Sequence, residues 1–321
     1  MKYRFKITGY GRYLPPKIET SAETAKLINK SRDWIISKTG VESRRISEID
    51  VDQMGAIAAK QAIGEKKKPD LIINASGVPK QTIPDTSIFI QKELGYDKIP
   101  CFSVHSTCLS FITGLNIAGS FFKSDTYKRI LIVSSDRGTR GRNFNQPESA
   151  ALLGDAAAAV YLERTKEDRG LLDYCMSSFP AGSDLTEVRG GGTNLHPQDS
   201  ITKDDDNLFS MKGPHIFKFT LPKVYRMIQL ILKSNNYSIN DIDVLVPHQA
   251  SNKAIRAYTK FGQFPEEKII NIISNTGNCV AASLPLALTY ANDKYNFKGD
   301  KIVFLVGTGA GLSIASAILK I

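Results

Sequence analysis

Short apolar runs recur along this chain, each closed by a turn and followed by a helix-patterned stretch, and that alternation narrows the fold more than any other feature. Leu71 to Ala75, Cys101 to His105, Arg129 to Ser134, Ala156 to Leu162, Asp243 to Val246 and Lys301 to Val306 read as buried strands. Lys6 to Tyr10, Ile269 to Ile273 and Ser313 to Lys320 add three more. Helical spacing covers Ser21 to Lys30, Arg32 to Thr39, Gln53 to Ile63, Thr86 to Leu94, Leu109 to Phe122, Phe217 to Lys233, Ser251 to Lys260 and a segment from Asn278 to Tyr290. Such alternation predicts a layered α/β fold with a mainly parallel sheet. The second half repeats the first in kind, with a break near residues 165–172. Gly170 to His215, with G-G-G at 190–192 and D-D-D at 204–206, is polar and irregular and reads as a surface excursion bearing on a site.

Three polar residues stand where a strand ends or a helix begins: Cys108, His248 in V-P-H-Q-A, and Asn278 in N-T-G-N-C-V-A-A-S-L-P. Ligands of α/β sheets bind at the carboxyl ends of strands, so a thiol and an imidazole placed there can share one cleft. The first turn of the 109–122 helix, where Cys108 is expected, carries partial positive charge that favours the nucleophilic thiolate. Singly, each has a plainer reading: a small core cysteine, a hydrogen-bonded histidine, an N-cap asparagine. Together they form the kit of a thioester-forming enzyme. G-T-G-A-G-L-S at 307–313 can bring backbone N–H groups close to a developing oxyanion. It leads into a strand and has no following Lys, so it is not a nucleotide loop.

Charge bounds the partners. The formal net charge is +10, from 42 Lys and Arg against 32 Asp and Glu. The basic residues are dispersed, with Lys66-Lys67-Lys68 the one short run, and no nucleic-acid fold signature accompanies them. An acidic protein or an anionic cofactor fits better than DNA. No apolar run reaches the ~18–20 residues that span a bilayer. Cysteines at 101, 108, 175 and 279 lack disulfide or metal spacing. A reduced, cytoplasmic protein with no membrane contact and no metal is expected.

W-I-I-S-K-T-G-V at 34–41, S-T-C-L-S-F at 106–111, G-D-A-A-A-A at 154–159, P-H-Q-A at 247–250, G-N-C-V-A-A-S-L-P at 277–285 and G-T-G-A-G at 307–311 occur in the order seen in β-ketoacyl-[acyl-carrier-protein] synthase III. The chain resembles that family over essentially its whole length. The resemblance implies a thiolase-like, five-layered αβαβα sandwich from two similar halves, residues 1–168 carrying the nucleophile and 169–321 carrying the His and Asn, in a homodimer. It implies that Cys108 accepts an acyl group from acyl-CoA. His248 and Asn278 would then promote decarboxylation of a malonyl group on an acidic acyl carrier protein. The Claisen product would be a 3-oxoacyl thioester. Backbone N–H groups of Cys108 and Ala310 would form the oxyanion hole. Trp34, Lys38 and Thr39 would bind coenzyme A, a substrate rather than a resident cofactor. Ile83, reaching from a partner subunit, and Thr308 would bound the acyl pocket. Lys218, Lys253 and Arg256 are candidates for the carrier-protein patch.

Several positions depart from the family pattern. Lys38 stands where Arg is usual, V-H-S-T replaces an alanine-rich stretch before Cys108, and alanines replace the glycines after Asp155. Thr308 replaces a bulkier residue. His105 reads as a hydrogen-bonded strand residue. These changes leave the primer open, and with it a specialised acyltransferase or condensing enzyme that uses another acceptor. A thiolase would need a second cysteine in G-T-G-A-G. A non-catalytic dimer partner would be expected to lack the nucleophile.

Overall fold

The computed structural model describes residues 1–297 and 299–321. Its first half holds β1 (Tyr3–Tyr13), β2 (Lys17–Thr20), β3 (Ser43–Ile46), β4 (Leu71–Asn74), β5 (Cys101–Ser103), β6 (Arg129–Arg137) and β7 (Asp155–Arg164), with helices α1 (Ser21–Leu27), α2 (Arg32–Thr39), α3 (Val51–Ile63), α4 (Thr86–Glu93), α5 (Ser110–Lys123) and α6 (Pro147–Leu152). The second holds β8 (Gly170–Ser178), β9 (Thr186–Glu187), β10 (Ser210–Met211), β11 (Val244–Pro247), β12 (Ile302–Gly309) and β13 (Ser313–Lys320), with α7 (Gly213–Ser234), α8 (Asn252–Lys260), α9 (Ile273–Thr276) and α10 (Ser283–Tyr295). The central strands run in the order β11-β12-β13-β8-β1-β7-β6-β4-β5. The expected boundary between residues 168 and 169 falls in the connection from β7 to β8.

Alternate residues of each buried strand face different cores, as the two-residue period of a strand requires. In β4, Leu71 and Ile73 face a core shared with Leu115 of α5, Leu288 of α10 and Leu305 of β12. Ile72 faces Met54 and Ala58 of α3 and Ile90 of α4 on the opposite side. In β12, Phe304 and Val306 turn toward Val224 and Ile228 of α7 and Ile255 of α8. The outcome is five layers: α3 and α4, the first-half strands, α5 with α10, the second-half strands, then α7 and α8.

The α3 layer lies close to β1. A Cβ on Gly11 would fall 2.0 Å from the Ala58 carbonyl oxygen, inside contact distance of backbone. Gly11→Ala is therefore expected to push α3 off the sheet and cost ~1–3 kcal/mol, the usual range for overpacking. A lower urea midpoint at unchanged slope checks this.

Three expectations change. The sheet is mixed rather than mainly parallel: β4 pairs in parallel with β5 and β6, and β11 with β12, but β6–β7, β7–β1, β12–β13, β13–β8 and β8–β1 are antiparallel. Strands β12 and β13 are joined by only three residues, too few for a crossover. The polar stretch after residue 170 begins with a central strand, β8, whose half-buried residues hide the apolar signal. Ile269 to Ile273 is not a strand: Ile269 makes one bridge to Leu245, and Ile273 opens the single-turn helix α9. No helix among the described residues is long and apolar enough to cross a membrane.

Candidate active site

Between β5 and α5 the chain makes a tight elbow. Thr107 has φ near +50°, a left-handed conformation that costs a β-branched residue of order 1–3 kcal/mol. Ser110 holds the elbow together, accepting from the Ser106 N–H at 2.9 Å and donating to the Thr107 carbonyl at 2.7 Å. Cys108 follows, one residue before Leu109, the N-cap of α5. It thus precedes the helix rather than lying on its first turn, and the expected thiolate stabilisation does not prevail. Burial pushes the Cys108 thiol up to about 12, the Asp136 carboxylate adds to the rise, and the backbone N–H groups of Cys108 and Ala310 oppose it. The residue as a whole is half-buried, but its sulfur is enclosed by protein. Those two N–H groups converge on the Cys108 sulfur, the arrangement an oxyanion hole needs.

The glycine-rich end of β12 lies against this elbow. A Cβ on Gly309 would lie 2.5 Å from Thr107 Oγ1, and one on Gly307 2.8 Å from the His248 Cβ and 3.1 Å from Leu109. Only glycine lets this strand touch both the elbow and the histidine.

His248 extends β11 by donating its backbone N–H to the Val306 carbonyl at 2.8 Å. The residue is 4% exposed, and burial alone pushes its pKa down to about 4. The ring is therefore neutral at pH 7 and acts as a hydrogen-bond donor or acceptor, not a cation. Its Nδ1 has no partner among the described residues. Behind it, Gln249 donates to the carbonyls of Pro247 and Ile270 and accepts from the Ile272 N–H, fixing the loop.

Asn278 is 8% exposed and lies before α10, in the loop that bridges to Leu153. Its Oδ1 accepts from the Val280 N–H at 2.9 Å and from Ser283 Oγ at 3.5 Å. The amide oxygen is thereby occupied, while no described residue accepts from Nδ2. A free amide donor and a neutral imidazole can together hold an enolate oxygen.

Two buried acids were not picked out from the sequence, though each ends or begins a strand. Asp136, closing R-I-L-I-V-S-S-D, accepts from the N–H groups of Val78, Gly77 and Ala282 at 2.7, 2.8 and 3.0 Å. Burial nonetheless raises it to about 7. It ties the loop after β4 to the turn after Asn278. Asp155 accepts from the Ser47 and Thr139 N–H groups.

A cavity of about 230 Å³ opens beside His248 and is lined by Lys38, Thr39, Lys253 and Thr308, among others. One wall is α6, propped by the fully buried Arg44, whose Nη1 donates to the Ala150 and Leu153 carbonyls. Glu19 faces Arg44 and Arg142. Burial works against the Glu19 carboxylate, but the Arg142 hydrogen bond and both guanidinium charges outweigh it and lower its pKa.

Not every expected site residue joins this cavity. Cys108 and Asn278 lie beyond its lining. Trp34 packs on Ala25, Ile28, Ile35, Ala150 and Ala151, sharing a face of α2 with Lys38 by its four-residue offset. Thr39 lines the cavity, yet its hydroxyl donates to the Ile35 carbonyl at 2.8 Å. Ile83 is 81% exposed, on the loop before α4. Lys218, Lys253 and Arg256 are exposed and take part in no ion pair among the described residues. Lys253 lies over the Phe217 ring at 4.7 Å, so α7 and α8 meet at the cavity mouth. His105 is exposed and lies two residues past the end of β5, so it is not the strand residue expected, though its Nε2 does lie 3.2 Å from the Gly77 carbonyl.

Residues 102–180 match a family model described as 3-Oxoacyl-[acyl-carrier-protein (ACP)] synthase III, and residues 232–321 match the model for its C terminal part. The β-ketoacyl-[acyl-carrier-protein] synthase III of Rickettsia bellii is 30% identical over 322 residues, covering 98% of this chain and 99% of its own. That of Geobacillus kaustophilus is 31% identical over 320 residues, covering 98% of each. The crystal structure of 3-oxoacyl-[acyl-carrier-protein] synthase III from Aquifex aeolicus superposes with a TM-score of 0.89 at 27% identity, covering 99% of this chain and 100% of that one. A likeness that runs unbroken through both halves has one meaning: the chain belongs to the 3-oxoacyl-[acyl-carrier-protein] synthase III family.

Proposed function

We propose that this protein takes an acyl group from acyl-CoA onto Cys108 and joins it to a malonyl unit on an acyl carrier protein by decarboxylative Claisen condensation. The observation that carries the reading is the Cys108 sulfur on a strained elbow, met by the backbone N–H groups of Cys108 and Ala310, with the neutral His248 packed against the same glycine-rich strand end. In the first half-reaction the Cys108 sulfur attacks the thioester carbonyl. The C–S bond to coenzyme A breaks, and the thiol proton leaves with coenzyme A. The oxyanion formed in between is held by the N–H groups of Cys108 and Ala310. In the second, the malonyl thioester loses carbon dioxide. The released electron pair becomes an enolate whose oxygen accepts from His248 and Asn278, and the enolate carbon attacks the acyl carbonyl. Cys108 departs as the leaving thiolate, and a 3-oxoacyl thioester is released. The two substrates bind in turn, giving ping-pong kinetics.

Trp34, Lys38 and Thr39 are the proposed coenzyme A contacts; Lys38 and Thr39 line the cavity mouth. No permanently bound cofactor enters this scheme. Lys218, Lys253 and Arg256, exposed cations on α7 and α8, are proposed to receive the acidic carrier. The protein is proposed to be a homodimer, since β5 ends the sheet with one edge unpaired and Ile83 stands exposed on the loop before α4. Ile83 would then reach the partner's acyl site. The two halves, 1–168 and 169–321, are read as one duplicated unit. Four unpaired cysteines fit a reducing cytoplasmic setting.

Intact-mass measurement after incubation with acyl-CoA, followed by assay of carbon dioxide release from malonyl-carrier, tests the scheme. One acyl group per chain at Cys108 and release of carbon dioxide are expected. Absence of either result refutes it.

A further inference from the structure

Asp136, next to last in β6, is fully buried and takes part in no ion pair among the described residues. Backbone alone holds its carboxylate. Oδ1 accepts from the Gly77 and Val78 N–H groups and Oδ2 from that of Ala282, with the Ala281 N–H facing the same carboxylate. Gly77 and Val78 belong to the loop after β4, while Ala281 and Ala282 close the turn between Asn278 and α10. The two loops also touch directly, since a Cβ on Gly77 would lie 2.6 Å from Val280 Cγ1.

That turn is strained. Val280 has φ near +52°, a left-handed conformation that crowds a β-branched residue. Its N–H donates to Asn278 Oδ1 at 2.9 Å, so the turn sets which way the Asn278 amide faces. A left-handed valine persists only where its surroundings hold it. The hydrogen bonds to Asp136 from the two residues after Val280 supply that hold, and they are of the stronger, charge-assisted kind. Asp136 acts on the nucleophile as well. Burial is the main cause of the raised Cys108 thiol, and the Asp136 charge adds to it by disfavouring the thiolate.

We propose that Asp136 is a positioning residue for decarboxylation: it holds the Val280 turn and through it aims the Asn278 amide, while its charge restrains the Cys108 sulfur. The inference rests on the acyl-transfer reading above and deepens it, giving one buried acid opposite effects on the two half-reactions. An acid that only tied loops together would move both half-reactions the same way.

The test is Asp136→Asn in the full-length protein. Loading is read as mass gain at Cys108 from acetyl-CoA or octanoyl-CoA, whichever loads wild-type protein faster. Decarboxylation is read as carbon dioxide release from malonyl-carrier by the preloaded enzyme. An amide has one oxygen where the carboxylate has two, so one of the two pairs of N–H groups must face an NH₂. The variant is expected to fold, because burial already raises Asp136 to about 7 and leaves its neutral form nearly as stable as the ion. Loading at pH 7 is expected to rise about threefold or more, and decarboxylation to fall at least about tenfold. Adding Val280→Gly removes the crowding and should restore decarboxylation to within about threefold of wild type, with loading still raised. That double variant decides the matter if Asp136→Asn alone does not fold. Unless loading rises while decarboxylation falls in the single variant, the inference is overturned and the acyl-transfer reading stands. Failure of the glycine to restore decarboxylation overturns it as well. Wild-type protein that neither loads nor releases carbon dioxide overturns both.

Discussion

Cys108→Ala protein will take up no acyl group, and its condensation rate will fall by roughly 10⁴-fold or more, as losing a covalent nucleophile does elsewhere. The fold should survive, because an enclosed thiol is replaced by a smaller apolar group at a position outside any helix or strand. The measurement is intact mass after incubation with acyl-CoA, beside a melting curve. A labelled alanine variant would place the acyl group elsewhere and remove the basis of the mechanism. The wild-type enzyme adds a second readout. With its thiol pushed up to about 12, Cys108 is almost wholly protonated at pH 7 in the free enzyme. If thiolate supply limits loading, the rate should climb about tenfold per pH unit from pH 6 to 9, without a plateau near the ordinary cysteine value of ~8.5. A plateau in that range would mean that substrate binding or the elbow's N–H groups lower the thiol well below its resting value.

The second large effect belongs to the donors. His248→Ala should load Cys108 at near the wild-type rate yet lose ~10²–10³-fold in carbon dioxide release, the usual cost of one oxyanion donor. Asn278→Asp should do the same, since it keeps the oxygen that caps Val280 but puts a negative oxygen where the enolate needs a donor. Loss of loading and decarboxylation in equal measure would instead make His248 a base for the thiol. The pH dependence carries its own sign. A histidine depressed to about 4 is neutral on both sides of its ordinary value of ~6.5. Lowering the pH from 8 to 5.5 should therefore leave the His248 ring uncharged, and any step in decarboxylation by the preloaded enzyme across that range is expected to come from Asp136, raised to about 7, and to vanish in Asp136→Asn. A step that persists in Asp136→Asn would show the ring to be accessible to water.

The candidate residues were readable because each is a polar group at a strand end or just ahead of a helix: His248 follows β11, while Cys108 and Asn278 precede α5 and α10. The structure places the histidine against the glycine-rich end of β12, and the cysteine elbow against the same strand. What sits between strands was harder to read. Whether β7 runs with β6 or against it depends on where a connection lands, not on the composition of either strand. Strand β8 escaped notice because most of its residues are half-buried, and half-buried strands lack an apolar signature. The sign of the Cys108 shift was misread for a related reason. The helix argument weighs one favourable dipole, whereas burial and Asp136, an acid from a distant strand, decide the balance. Asp136 and Gln249 were missed because a polar residue that satisfies backbone groups looks, in sequence, like any other strand ending.

β1 has a further consequence, in time rather than in space. It pairs with β7 through Phe5 to Tyr13 and with β8 through Tyr3 and Arg4, so one strand joins the sheets of both halves. During synthesis that strand leaves the ribosome long before either partner. Its ladder groups must wait, unpaired, until the chain has been made past Leu171. Pairing over such a separation in sequence is slow, because the loop must close before the contacts form. The nascent first half therefore carries an open strand edge for most of its synthesis, and chaperones that bind such edges should find this chain an early client.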